Sequence, residues 1–156
     1  MDGDYWGLLL DAYKGELFGE AFFGAFAAHE SDAGRVEKLR TLERIEATTA
    51  RQLRPLVDAA GIDVDAGDVA GVPAQGRDSG ASGLDWDAFV TGLHDALPSF
   101  LASFVQLRLL AADAGDPALV ALIAHEEAIN AFTELELAGR PECSLAVLRW
   151  YLDSVA

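Results

Sequence analysis

The chain has 156 residues, of which 51% are hydrophobic, and its formal net charge is −15. This length fits one domain, residues 1–156, that can bury a core without cross-links, and the single cysteine forms no internal disulfide. The negative charge repels phosphate backbones and anionic lipids. We therefore expect neither a nucleic-acid partner nor a membrane partner.

The N-terminus does not carry the basic segment of a signal peptide. The apolar runs are interrupted by Glu, Gly or Pro before they reach the ~18 residues of a membrane span. These observations predict a cytoplasmic protein. Frequent Ala, Gly, Asp and Arg are typical of a GC-rich bacterial genome.

The first predicted helix covers residues 5–29, where apolar side chains recur every three or four positions. Glycines interrupt it at Gly15, Gly19 and Gly24. Each glycine inside a helix costs about 1 kcal/mol relative to alanine. We expect these three to permit close contact with a neighbouring helix.

The second predicted helix covers residues 34–60, with Ser31 or Asp32 as its N-terminal cap. Pro55 is expected to kink this helix or to end it early. Residues 61–83 then lose the helical period and are rich in Gly and Asp. They predict a long crossover loop on the surface.

Two more long helices are predicted, over residues 84–113 and 117–138. Pro98 is expected to kink the first of them or to divide it, and Asp116 caps the second. Ser144 can cap a last short helix. No segment alternates with the period of a strand. The fold class is therefore all-α: an antiparallel four-helix bundle with a long crossover and a short C-terminal helix.

Polar side chains interrupt the apolar stripes of all four long helices. A carboxylate that faces a bundle core is costly unless it is paired or binds a metal ion. Glu127, Glu134 and Glu136 are instead expected to be surface charges. The candidate metal ligands are Glu16, Glu20, Glu46, His94, His125 and Glu126.

The first half of the chain reads GELFGEAFFGAF and, about 30 residues later, LERIEATTARQL. It resembles the first metal-binding helix pair of the ferritin-like (rubrerythrin-like) superfamily, in which a Glu is followed downstream by Glu-x-x-His. The resemblance implies that Glu16 and Glu46 are ligands, with Glu20 replacing Glu16 if the register differs. Thr49 stands where the family has its histidine.

The second half reads TGLHDALPSF and then IAHEEAINAFTELELAG, and it resembles the other helix pair of that superfamily. His94 falls near the glutamate of the third helix, and Glu126 matches the glutamate of the fourth. Ile129 stands where the second histidine belongs, and His125 can supply an imidazole from the adjacent position.

The resemblance implies a transition metal in the bundle core, iron or else manganese or zinc, that serves oxidation chemistry on an unknown small molecule. Because the histidine positions depart from the family pattern, a single-metal site and a metal-free bundle are both open alternatives. The carboxylates would then be surface ion pairs, and the histidines would be hydrogen-bonded core residues. A metal-free bundle would act by binding, for example as a homodimer, through Phe18, Phe22 and Trp150.

Overall fold

A computed structural model describes residues 2–156 of the chain, and every regular element in that range is an α-helix. This confirms the all-α class. The six helices are α1 (Asp2–His29), α2 (Ala33–Ala59), α3 (Gly67–Gly80), α4 (Trp86–Leu110), α5 (Pro117–Leu137) and α6 (Pro141–Ser154).

Polar N-caps begin two of the long helices, α2 and α5, where the sequence predicts them. The Asp32 carboxylate accepts from the Arg35 amide at 2.9 Å, and the Asp116 carboxylate accepts from the Ala118 amide at 2.8 Å. Each cap satisfies one of the amides that have no partner within the first helical turn.

The two prolines neither end nor divide their helices, so the expected early end at Pro55 and division at Pro98 are wrong. α2 continues past Pro55 to Ala59, and α4 continues past Pro98 to Leu110. A proline inside a helix removes one backbone hydrogen bond and costs about 3 kcal/mol. Burial of apolar residues beyond each proline, including Val57 in α2, offsets that cost.

The irregular crossover predicted for residues 61–83 is wrong in its centre, where α3 forms against α1. Gly76 and Gly80 face this contact, and a Cβ on Gly76 would lie 2.5 Å from the Phe18 carbonyl oxygen. A Cβ on Gly80 would clash in the same way with the Phe22 carbonyl oxygen. The glycines that hide the helical period are therefore what lets the two backbones approach.

The four longest helices contact one another in the cyclic order α1, α2, α5, α4. α3 packs on the outside of α1, and α6 packs on α5 and α2. Two apolar clusters fill the interior, one around Phe26, Leu42 and Phe132 and the other around Leu9 and Leu107.

Glu136 on α5 is not a surface charge, contrary to expectation. Its carboxylate pairs with Lys38 and also accepts from Ser144 Oγ at 2.7 Å and from Trp86 Nε1 at 3.2 Å. Burial acts to raise the pKa of Glu136, but these donors hold it below its ordinary value. The contact joins α2, α4, α5 and α6 near one end of the molecule.

α4 is long and apolar enough to cross a membrane, judged by length and composition alone. Only 22% of its apolar window is buried within the chain. One such helix is weak evidence, since core helices satisfy the same test, and the cytoplasmic location stays a prediction.

Candidate metal centre

Four of the predicted ligands, Glu16, Glu46, His125 and Glu126, meet in the interior, where each residue is between 1 and 7% exposed. They come from α1, α2 and α5. In each helix they lie between residues of the two apolar clusters, for example between Tyr13 and Phe23 in α1. The polar group therefore occupies the middle of the core.

The packing of α5 explains why two adjacent residues are both buried. Consecutive helical residues point about 100° apart, so a helix with one buried face would expose either His125 or Glu126. α5 contacts α2, α4 and α6, which leaves little of its surface open. Both side chains consequently point into the molecule.

The donor atoms are spaced as the ligands of one ion would be. His125 Nε2 lies 3.2 Å from Glu16 Oε1 and 3.3 Å from Glu126 Oε2. One donor atom each from Glu16, Glu46 and His125 lie within 4.8 Å of one another. Two atoms that bind the same ion at about 2.1 Å are roughly 3.0–3.4 Å apart, so these separations fit a metal site.

The His125 ring is oriented with one nitrogen towards the backbone and the other towards the carboxylates. Nδ1 hydrogen-bonds the Leu122 carbonyl oxygen, which only accepts, so the proton lies on Nδ1. Nε2 then faces the carboxylates and forms no hydrogen bond within the chain. This is the arrangement of histidines that bind metals.

The His125 imidazole is the only basic group at ion-pair distance from the three carboxylates in the part of the chain that the structure describes. Among residues 2–156, no lysine or arginine forms an ion pair with Glu16, Glu46 or Glu126. Glu16 Oε2 is buried without any hydrogen-bond partner. Uncompensated buried charge is strongly unfavourable, so the cluster must take up either protons or a cation.

Burial raises the pKa of all three glutamates. That of Glu16 rises to about 8, despite its hydrogen bond with Glu46, and the charge of Glu126 adds to the rise. That of Glu126 rises to about 7, although His125 opposes the change. Burial and the charge of Glu16 hold the pKa of Glu46 well above its ordinary range. Without a cation, the cluster therefore retains protons near neutral pH.

Glu20 and His94 do not join this group. Glu20 is half-buried on α1, and the neighbouring Glu43 contributes to its raised pKa after burial. His94 Nδ1 lies 3.0 Å from Thr133 Oγ1, which makes it a hydrogen-bonded histidine. The structure therefore selects Glu16 over Glu20 and His125 over His94.

The two positions that depart from the family pattern lie beside the cluster. Thr49 is buried and donates to the Ile45 carbonyl oxygen at 2.9 Å. Ile129 packs in the apolar core. The buried Tyr151 of α6, which sequence reasoning missed, lies behind the cluster, and burial raises its pKa to about 12.

Gly19 and Gly24 of α1 lie against α2, as the predicted close helix contact requires, whereas Gly15 does not. A Cβ on Gly19 would lie 2.8 Å from Glu46 Cδ, and one on Gly24 would lie 2.6 Å from Glu43 Oε1. These two glycines therefore make room for glutamate side chains. A Cβ on Gly15 would meet nothing within 4 Å.

A pocket of about 550 Å³ connects the cluster with the surface between α1 and α4. Its inner end holds the three glutamates. The other lining residues are apolar or glycine: Gly15, Phe18, Gly19, Phe22, Phe23, Leu84, Ala88, Phe89, Gly92, Leu93, Phe100 and Ile129. Three of them, Phe18, Leu84 and Phe100, are exposed, so the pocket opens to solvent. The sequence analysis assigned two of its phenylalanines, Phe18 and Phe22, to a partner surface, because helical periodicity does not show where two helices separate.

Comparison of the chain with protein-family models, with curated proteins and with solved structures finds no match.

Proposed function

We propose that the chain is a ferritin-like bundle that binds one transition-metal ion through Glu16, Glu46, Glu126 and His125, in support of oxidation chemistry. The observation that carries the proposal is a buried set of metal-donor atoms that no lysine or arginine neutralises. Their hydrogen bonding is also incomplete. A divalent ion would lower the formal charge of the three carboxylates from −3 to −1. It would also bind Glu16 Oε2 and His125 Nε2, two buried donor atoms that have no hydrogen-bond partner.

The donor types favour iron, with manganese and zinc as alternatives. Carboxylates suit hard ions such as manganese, whereas imidazole suits iron and zinc, and a mixed set accepts all three. When bound, iron supplies redox chemistry towards oxygen or peroxide. The chain's own residues bind the ion, enclose it between the two apolar clusters, and hold protons on the glutamates when no ion is present.

The arrangement of the helices supports the ferritin-like assignment. In that architecture four long helices surround a core site, and a long connection joins the second to the third. Here α1, α2, α5 and α4 contact one another in a ring, and the segment that carries α3 joins α2 to α4. Because His125 takes the place of both expected histidines, we propose a single-metal site in preference to a di-metal one.

Metal titration tests the proposal directly. Protein stripped with a chelator is titrated with Fe²⁺ without oxygen, and separately with Mn²⁺ and Zn²⁺. We expect one equivalent to bind and to raise the free energy of unfolding by about 3 kcal/mol when free metal is 100 times its Kd. Glu16→Gln should lose this binding. Glu127→Gln, on the exposed residue next to Glu126, should keep it.

Two results would contradict the metal assignment: no stoichiometric binding of any of the three ions, or equal binding by Glu16→Gln. Peroxide consumption tests the oxidation part separately. The iron-loaded protein should consume peroxide faster than Glu16→Gln supplied with the same iron.

A second candidate is a metal-free bundle that acts by self-association. Trp150 is 75% exposed, and aromatic side chains are enriched at protein interfaces. Phe18 and Phe22 line the pocket, so neither is free for this role. Light scattering over a range of concentrations tests the idea, and a protein that stays monomeric throughout contradicts it.

A further inference from the structure

The entrance of the pocket is bordered by a glycine on each side, Gly15 on α1 and Gly92 on α4. Both are exposed, and a Cβ added to either would meet no atom within 4 Å. A glycine inside a helix costs about 1 kcal/mol relative to alanine. Close packing does not account for these two glycines, whereas an open entrance does.

The inner end of the same pocket is polar and incompletely bonded. Glu16 lines it, and Glu16 Oε2 is buried without a hydrogen-bond partner. The walls between the entrance and this end are phenylalanines, including Phe22, Phe23 and Phe89. A molecule in the pocket would therefore contact hydrocarbon along most of its length and polar atoms at one end.

Charge and volume restrict what can bind. No lysine or arginine lines the pocket, and its inner end carries three carboxylates, so an anion has no partner there. A cavity of about 150 Å³ holds benzene, so by proportion about 550 Å³ holds up to roughly 20 non-hydrogen atoms.

We infer that the pocket binds a largely hydrocarbon molecule that carries no anionic group and has up to roughly 20 non-hydrogen atoms, with one polar end placed at Glu16, Glu46 and Glu126. The inference rests on the proposed function to the extent that this molecule is the substrate presented to the metal centre. Occupation of the pocket itself requires no metal.

Calorimetry with two probes of equal chain length tests the ligand class on the metal-free protein. The probes are 1-decanol and decanoate. We expect saturable 1:1 binding of 1-decanol, and binding at least about tenfold weaker for decanoate, whose carboxylate would meet the three glutamates. Equal or tighter binding of decanoate would overturn the exclusion of anions, and no saturable binding of 1-decanol would overturn the inference.

Leucine substitutions locate the binding site. Gly92→Leu places a side chain in the entrance, and we expect it to weaken 1-decanol binding at least about tenfold. The matched control is Gly7→Leu, since Gly7 is an exposed glycine of α1 that is likewise uncrowded and does not line the pocket. The control should bind as the wild type does.

Thermal unfolding verifies that both variants fold. Folded Gly92→Leu with unchanged binding would overturn the inference. Because the probes are added without metal, a protein that binds 1-decanol but no metal refutes the proposed function alone. A protein that binds metal but not 1-decanol refutes this inference alone.

Discussion

The ionisation of Glu16 couples the candidate metal centre to the stability of the metal-free protein. Burial raises the pKa of Glu16 from its ordinary value of 4.5 to about 8. Between these values the folded chain holds a proton that the unfolded chain has already released. The free energy of unfolding of the metal-free protein should therefore fall as the pH rises from 5 to 8.

Replacing Glu16 with glutamine removes this dependence, because the amide has nearly the shape of a protonated carboxyl group and cannot ionise. A raised pKa costs about 1 kcal/mol of stability for each pH unit within the window. We expect metal-free Glu16→Gln to be more stable than the wild type by a few kcal/mol at pH 8 and nearly equal to it at pH 5. Glu46 and Glu126 should leave part of the slope in place, since burial raises their pKa values too.

Urea denaturation from pH 5 to 8, after treatment with a chelator, measures the effect. Glu127→Gln is the control, because it removes one negative charge from the adjacent, exposed position on α5. This control corrects for the loss of general charge repulsion, which is expected to destabilise a chain with a net charge of −15. The control should keep the wild-type slope.

Two results would refute this reasoning. One is a wild type whose stability stays constant or increases from pH 5 to pH 8. The other is an equal gain in Glu127→Gln, which would assign the effect to overall charge. Saturating Zn²⁺ should make the wild type more stable than Glu16→Gln, because the ion stabilises the wild type and has no complete site in the variant.

Three further predictions follow from the same structure. Metal binding at neutral pH should release protons from the core glutamates, so the metal affinity should rise with pH. A pH-stat should record between one and three protons released per ion. Gly76→Val should detach α3 from α1 and open residues 61–83 to limited proteolysis, whereas Gly71→Val, which meets only one atom at 4.0 Å, should not. Lys38→Met should leave the Glu136 carboxylate without its cation and lower the free energy of unfolding by about 3 kcal/mol in urea denaturation; a change under 1 kcal/mol would contradict the assigned role of this pair.

The sequence indicated the four long helices and four of the polar residues that meet in the core, Glu16, Glu46, His125 and Glu126. Capping residues such as Asp32 and Asp116 mark helix starts because they act on amides a few residues away. Helical periodicity, which also depends on nearby residues, places Glu16 and Glu46 on buried stripes. It fails for α3, because the glycines required for close contact with α1 remove the apolar signal of a helix.

Helical periodicity by itself determined that this chain is all-helical and that several charged side chains face inwards, because both properties depend on neighbours three and four residues away. Only the tertiary structure decided which of those side chains meet. It selected His125 over His94 because α5 is covered on several sides, so a residue one step off the main stripe is also buried. It also created the pocket, since a gap between α1 and α4 depends on the distance between helices, which periodicity within one helix does not specify.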